Sequence, residues 1–167
     1  SSAPRYCGVR ISGVKVKESP KKIKDKLKAI GVKPINNIVD ITNYVLHELG
    51  QPLHAFDVDK IKSKIIRVQK LKSKTKLITL DGIERELDKE DLVICDGNKP
   101  ICLAGVFGGL STGVNEYTKE VFIESAYFEP KTIRKTAKRH GLNTDASFRY
   151  ERSLSLIHIS EPTRLRR

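Results

Sequence analysis

Between Val121 and Arg152 the chain sets one carboxylate among small and basic residues, VFIESAYFEPKTIRKTAKRHGLNTDASFRYER. Val121-Phe122-Ile123 reads as a short apolar strand that ends in Glu124, followed by Ser125 and Ala126. Pro130 then opens a basic helical run with Ile133 and Ala137 on one side, and Gly141 caps it. Asn143 to Ser147 is a loop of small and polar residues. An acid beside a strand, a cationic helix and a small-residue loop can form a pocket for an anionic ligand. The same residues can equally make a salt-bridged surface.

A second group lies upstream. Ile38, Ile41, Val45 and Leu49 form a helical stripe that Gly50 stops and Pro52 keeps from resuming. Asn43 and His47, four apart, are neighbours on that helix. His54 follows in GQPLHAFD, in a constrained turn between Pro52 and Phe56. Gly105, Gly108 and Gly109 leave backbone open to a ligand or simply make a tight turn. They form neither a phosphate-binding loop nor a dinucleotide fingerprint. There is no GxSxG elbow, no Cys–His arrangement and no cluster with zinc-ligand spacing.

The elements that must position these residues are mixed. Val9/Ile11 and Val14/Val16 alternate around Ser12-Gly13, as in strand, turn or bulge, strand. Ser19-Pro20 predicts a helix start with Ser19 as N-cap, and Ile23, Leu27 and Ile30 share its apolar face. Gly31 closes it, and the five lysines between 21 and 28 point elsewhere. Lys60 to Lys76 holds eight basic residues and no acid around β-branched residues, as a protected sheet edge or a phosphate-binding strand would. Leu77–Leu80, Asp81-Gly82 and Ile83–Leu87 predict a hairpin, and Asp91–Cys95 with Ile101–Val106 predict another strand pair. Strands between 61 and 106 with helices on either side point to an α+β fold.

The 167 residues suffice for one core or two small lobes sharing one. Lys and Arg outnumber Asp and Glu by 32 to 20, a net charge of +12 that favours a polyanionic partner. Cys7, Cys95 and Cys102 make no disulfide framework. The latter two read as small buried residues on paired strands. No secretory or membrane-spanning stretch is present, so the expected compartment is the cytoplasm. Leu154 to Arg167, LSLIHISEPTRLRR, breaks the preceding pattern and reads as foreign to the domain.

Seven passages, in one order, resemble the B3/B4 editing module of the bacterial-type phenylalanyl-tRNA synthetase β subunit. They are PRYCGV (Pro4–Val9), NNIVDITNYVLHELGQPLHAFD (Asn36–Asp57), LDG (Leu80–Gly82), LAGVFGG (Leu103–Gly109), STGVN (Ser111–Asn115), FIESAYF (Phe122–Phe128) and RHGLNTDASFRYER (Arg139–Arg152). Together they span essentially all of residues 4–152.

The resemblance implies an α+β domain of layered sheet or sandwich core with flanking helices, two closely packed sublobes over 1–152, and a non-native or disordered tail over 153–167. It implies hydrolysis of the ester between wrongly attached tyrosine and the terminal adenosine of phenylalanine tRNA. Glu124 then matches the acceptor for the tyrosine hydroxyl, and Gly108 the glycine whose backbone reads the same end. Thr144 and Ala146 match small pocket positions. His54 matches the family histidine near the terminal adenosine and Asn43 the nearby asparagine; the two are expected to orient the ester and a water with a tRNA hydroxyl assisting, and Lys33 matches a basic residue holding the tRNA end. No metal or cofactor is expected in this stretch; ATP and magnesium belong to aminoacylation in other parts of such a synthetase. The implied partners are phenylalanine tRNA, the remaining β-subunit domains and the α subunit, with no membrane. The alternative is a non-catalytic tRNA-binding or assembly module of the same fold.

Overall fold

The computed structural model describes residues 2–154. Two antiparallel sheets and a hairpin, with four α-helices, make the α+β architecture expected. The first sheet is β1 (Arg5–Ser12), β9 (Glu120–Tyr127) and β2 (Leu53–Asp57), with β9 in the middle. The second runs β3 (Ile66–Lys70), β6 (Leu92–Asp96), β7 (Lys99–Leu103), β8 (Phe107–Gly108). The hairpin β4 (Thr75–Ile78) and β5 (Glu84–Leu87) turns where Asp81-Gly82 predicts it.

The apolar residues of both sheets meet in one buried cluster. Val93, Ile94, Cys95 and Leu103 of the second sheet join Phe56 and Ala126 of the first, with Phe128, Ile133 and Tyr150 from beyond the strands. β6 and β7 carry near-continuous buried residues, whereas edge strand β1 is mostly exposed. β3, in the lysine-rich 60–76 segment, is likewise an edge. Lys70, Lys74 and Lys76 pair with Glu90, Glu86 and Glu84, so these cations are matched across the hairpin region.

The helices follow local signals. α2 (Asn37–Leu49) starts on Asn36, whose side chain accepts from the N–H groups of Ile38 and Val39, and ends on left-handed Gly50. α3 (Pro130–His140) has proline in its first turn and Gly141 as its left-handed cap. α1 (Lys21–Ala29) buries Leu27, while Ile30 becomes its half-exposed C-cap.

Three expectations change. Val14 and Val16 form no strand: Gly13 turns the chain out of the sheet, and Asn37 ties down this segment by accepting from Lys17 N–H and donating to the Lys15 carbonyl. Ser19 does not cap α1, because its hydroxyl is drawn to buried Asp40 and the cap position falls to Pro20. Asn143–Ser147 is no loop, since Thr144 and Ser147 form a capping box that starts α4 (Asp145–Glu151). Ser153 and Leu154 belong to the described part, and Leu154 packs against the core. The rest of the expected foreign tail lies outside the described residues. Among the described residues no helix is long and apolar enough to cross a membrane.

Candidate functional site

Strand alternation and register assemble the site. Glu124 lies in the middle of β9, not at its end, and is paired with Gly8 on one side and His54 on the other. Directly opposed residues of an antiparallel sheet point to the same face, so carboxylate and imidazole are neighbours. His54 is therefore on a strand rather than in the predicted turn; the helix ends at Gly50, and pairing with β9 extends the chain from Leu53 on. Gly8 adds no side chain beside Glu124. A Cβ there would fall 1.9 Å from Phe122 Cζ, so the Phe122 ring fills that place.

The opposite wall comes from the second sheet and α4. Glu124, His54, Gly108, Cys102, Ala146 and Tyr150 line a cavity of about 60 Å³, together with Pro52 and the 105–107 turn. Gly105 allows that turn: it has φ of +67°, and a Cβ would come 2.9 Å from both Phe128 and Tyr150. At Gly108 a Cβ would stand 2.6 Å from His54 Cε1, so the missing side chain lets the imidazole sit against the β8 backbone. His54 also packs edge-on to Phe56, with ring centroids 4.5 Å apart.

Electrostatically the cavity is poor in compensation. Glu124 is 4% exposed and accepts one hydrogen bond among the described residues, from Tyr6 Oη to its Oε2 at 2.9 Å. Burial pushes its carboxyl up to about 8, partly opposed by the Tyr6 bond. Burial pushes His54 down to about 4, so its imidazole is neutral near pH 7. Tyr6, Cys102 and Tyr150 all rise, each mainly through burial, with the nearby Glu124 charge adding to it. A buried acceptor beside a neutral imidazole suits recognition of a hydroxyl and the holding of a water; Cys102, the thiol in the cavity, bonds to the Leu103 and Phe107 carbonyls rather than to His54. No cluster of three or more potential metal ligands occurs among the described residues.

Four of the sequence-selected residues, His54, Gly108, Glu124 and Ala146, thus share one cavity. Thr144 stands behind it. Its hydroxyl donates to the Val106 carbonyl at 2.9 Å and accepts from Ser147 N–H at 3.0 Å, tying α4 to the glycine turn. Asn43 is half-buried on α2 and does not line the cavity. One turn on, His47 Nε2 lies 3.7 Å from Asp145 at the start of α4. Lys33 is exposed in the connection between α1 and α2, also outside the cavity. The cationic helix α3 contributes no lining residue: Arg139 and His140 bind Asp91, and Arg134 approaches Glu151. Tyr6 escaped the sequence reading. Its only signal was alternation with Gly8, which gives no hint of the strand it would meet.

Residues 2–161 match the B3/4 domain family. The chain is 56% identical over 153 residues to the phenylalanine–tRNA ligase β subunit of Bacteroides fragilis (strain YCH46), covering 92% of this chain and 19% of that protein. It is 53% identical over 155 residues to the β subunit of Aquifex aeolicus (strain VF5), covering 93% and 20%. The chain spans about a fifth of the length of these curated relatives. Its fold resembles the crystal structure of an N-terminal fragment of the phenylalanyl-tRNA synthetase β subunit from Pyrococcus horikoshii, at TM-score 0.55 and 16% identity over 83% of this chain and 46% of that one. With this match over nearly its whole length, the chain belongs to the B3/4 domain family.

Proposed function

We propose that this domain is the proofreading site of a phenylalanine–tRNA ligase β subunit, hydrolysing the ester of tyrosine mischarged onto phenylalanine tRNA. The observation that carries this reading is Glu124, a buried carboxylate with a single phenolic donor, facing a cavity also lined by His54, Gly108 and Ala146. Tyrosine and phenylalanine differ by one hydroxyl, and a site that hydrogen-bonds that hydroxyl rejects the ring that lacks it. Phenylalanine would leave the buried acceptor unpaired, a penalty of about 1–3 kcal/mol.

In this reading a water adds to the ester carbonyl carbon, the bond to the ribose oxygen breaks, and that oxygen takes up a proton. Neutral His54 orients ester and water in the cavity, and Asn43, on α2 outside its lining, does so from the side of the terminal adenosine, so catalysis is chiefly positioning. Gly108 lets His54 stand against the β8 backbone, where that backbone lines the cavity, and Ala146 keeps the α4 wall open. Thr144 holds that wall in place through Val106. Lys33 contributes a charge toward the tRNA end, and the +12 net charge suits a polyanion. The remaining β-subunit domains and the α subunit would supply aminoacylation and most of the tRNA contacts.

The test is deacylation of tyrosyl- and phenylalanyl-tRNA, both on phenylalanine tRNA, by this chain and by the full ligase carrying it. Selective release of tyrosine is expected from the full ligase, with loss in Glu124→Ala and Ala146→Trp. Equal treatment of the two esters by a folded full ligase would overturn the reading.

The exposed side of α2 favours a second role in assembly, compatible with the first. Ile41 is 44% and Leu49 68% exposed on a stripe whose periodicity is that of a buried face. Changing both to Asp should weaken assembly of the full ligase in sedimentation while leaving hydrolysis intact; unchanged assembly would remove this role.

A further inference from the structure

The hydrogen bond that Tyr6 makes to Glu124 joins residues 118 apart in sequence and belongs to no secondary-structure ladder. Tyr6 pairs with Ala126, and Glu124 with Gly8. The phenol therefore reaches diagonally along the sheet, beside Gly8, whose side-chain place the Phe122 ring fills. A carboxylate has two oxygens and about four lone-pair sites. Tyr6 occupies Oε2; Oε1 makes no hydrogen bond to any described residue, on a side chain that lines the cavity.

We propose that Tyr6 is a positioning and specificity residue: its phenol holds one Glu124 oxygen so that the other faces the cavity as the acceptor for a second phenol. This rests on the proofreading reading and deepens it. A free carboxyl group rotates and, when protonated, can present either a donor or an acceptor. Held on one side, its ionised form presents a fixed acceptor and can discriminate by one hydroxyl, and with the carboxyl at about 8 that form grows as pH rises.

The ionisable groups around Glu124 fit this division of labour. They are Tyr6 from β1, His54 from β2, Cys102 from β7 and Tyr150 from α4. His54 is neutral near pH 7, and Tyr6, Cys102 and Tyr150 keep their protons because burial raises all three. Tyr6, its proton held, donates its O–H to Glu124 Oε2. Its bond is the influence that opposes burial at Glu124, so removing it raises the carboxyl above its value of about 8.

The experiment compares wild-type full ligase with Tyr6→Phe, Glu124→Gln and the double variant, using both aminoacyl esters. Tyr6→Phe should raise KM for the tyrosyl ester by about tenfold. It should leave kcat within about twofold and the phenylalanyl ester unaffected, because the phenol end lies away from the bond that breaks. The pH midpoint of kcat/KM should move upward. In the Glu124→Gln background the Tyr6 change should add nothing, since Tyr6 acts through that carboxylate. Equal loss on both esters with an unmoved midpoint would assign Tyr6 to packing alone and overturn the proposal.

A ¹³C NMR titration of the Glu124 carboxyl separates this from failure of the proofreading reading. A wild-type ligase that does not prefer tyrosine sinks the functional reading, yet an upward shift in Tyr6→Phe would still support the Tyr6 hold on Glu124. No shift would overturn it. Should Tyr6→Phe fail to fold, 3-fluorotyrosine at position 6, a more acidic donor, should move the midpoint downward, and an unmoved midpoint would overturn the proposal.

Discussion

Asp91 and Glu124 are both carboxylates sealed from solvent, 0% and 4% exposed, and their surroundings are opposites. Asp91 accepts from Asp88 N–H at 2.9 Å, Thr136 Oγ1 at 3.1 Å, the Arg139 guanidinium and the His140 ring at 2.7 Å. Those partners fasten α3 to the entrance of β6, and the acid takes no part in lining the Glu124 cavity. Among the described residues Glu124 has one phenol, no cation and an open space beside it. A carboxylate used for structure is surrounded until its charge is satisfied. One held ready for a ligand keeps part of its hydrogen-bonding capacity unspent, and the fold bears the resulting strain on ionisation.

Glu124→Gln gives the largest way to break this comparison, through stability against pH. The folded carboxyl is raised from 4.5 to about 8, so the folded state holds the proton more tightly than the unfolded chain. Its stabilising contribution is full below pH 4.5 and is lost as pH climbs to about 8, in all about 5 kcal/mol. Glutamine does not titrate, so the variant should match wild type at pH 4 after a constant offset and gain on it steadily to pH 9 in denaturant melts. His54, depressed to about 4, gives the opposite slope below pH 6.5, but does so in both proteins. Parallel curves would mean that Glu124 is as well compensated as Asp91.

Asp91→Ala should behave in the reverse manner, with a stability loss of about 3 kcal/mol from the unpaired Arg139 and His140. The Tm should fall by about 6–12 °C. The ratio of tyrosyl to phenylalanyl release by the folded protein should stay unchanged; a changed ratio would make Asp91 part of the site. Gly108→Ala sharpens the cavity side, since its Cβ would have to displace His54 from 2.6 Å. A stability cost of about 1–3 kcal/mol is expected. A fall of about tenfold in tyrosyl-ester hydrolysis should accompany it if the imidazole moves off its place. Lys33→Ala should have the smallest effect: about a twofold rise in KM for the tRNA ester at low salt, vanishing at high salt, with no change in selectivity.

Much of the framework could be read directly. The turn at Asp81-Gly82, the Gly50 and Gly141 helix ends, and the burial of Cys95 and Cys102 agree with the sequence reading. α4 could not be read as a helix because its seven residues are too few to show periodicity, although the Thr144–Ser147 cap was there to find. The α2 stripe was legible as a helix but misleading about burial: Asp40, Thr42 and Leu46 are buried while Ile41 and Leu49 stay exposed. Asp40 goes inside because Ser19 and the Ile35 N–H satisfy it, a compensation that comes from residues off the helix.

The sequence by itself determined the local elements, the basic charge and the family passages in their order. Those follow from backbone preferences and side-chain periodicity over a few residues. The tertiary structure alone decided that Gly8, Glu124 and His54 stand in one row, that Tyr6 bonds the acid, and that Arg139 serves Asp91 rather than a ligand. Strand register and helix packing set those meetings across long separations. No single segment carries them, because a strand's side-chain pattern fixes which face is buried but not which distant residue stands opposite.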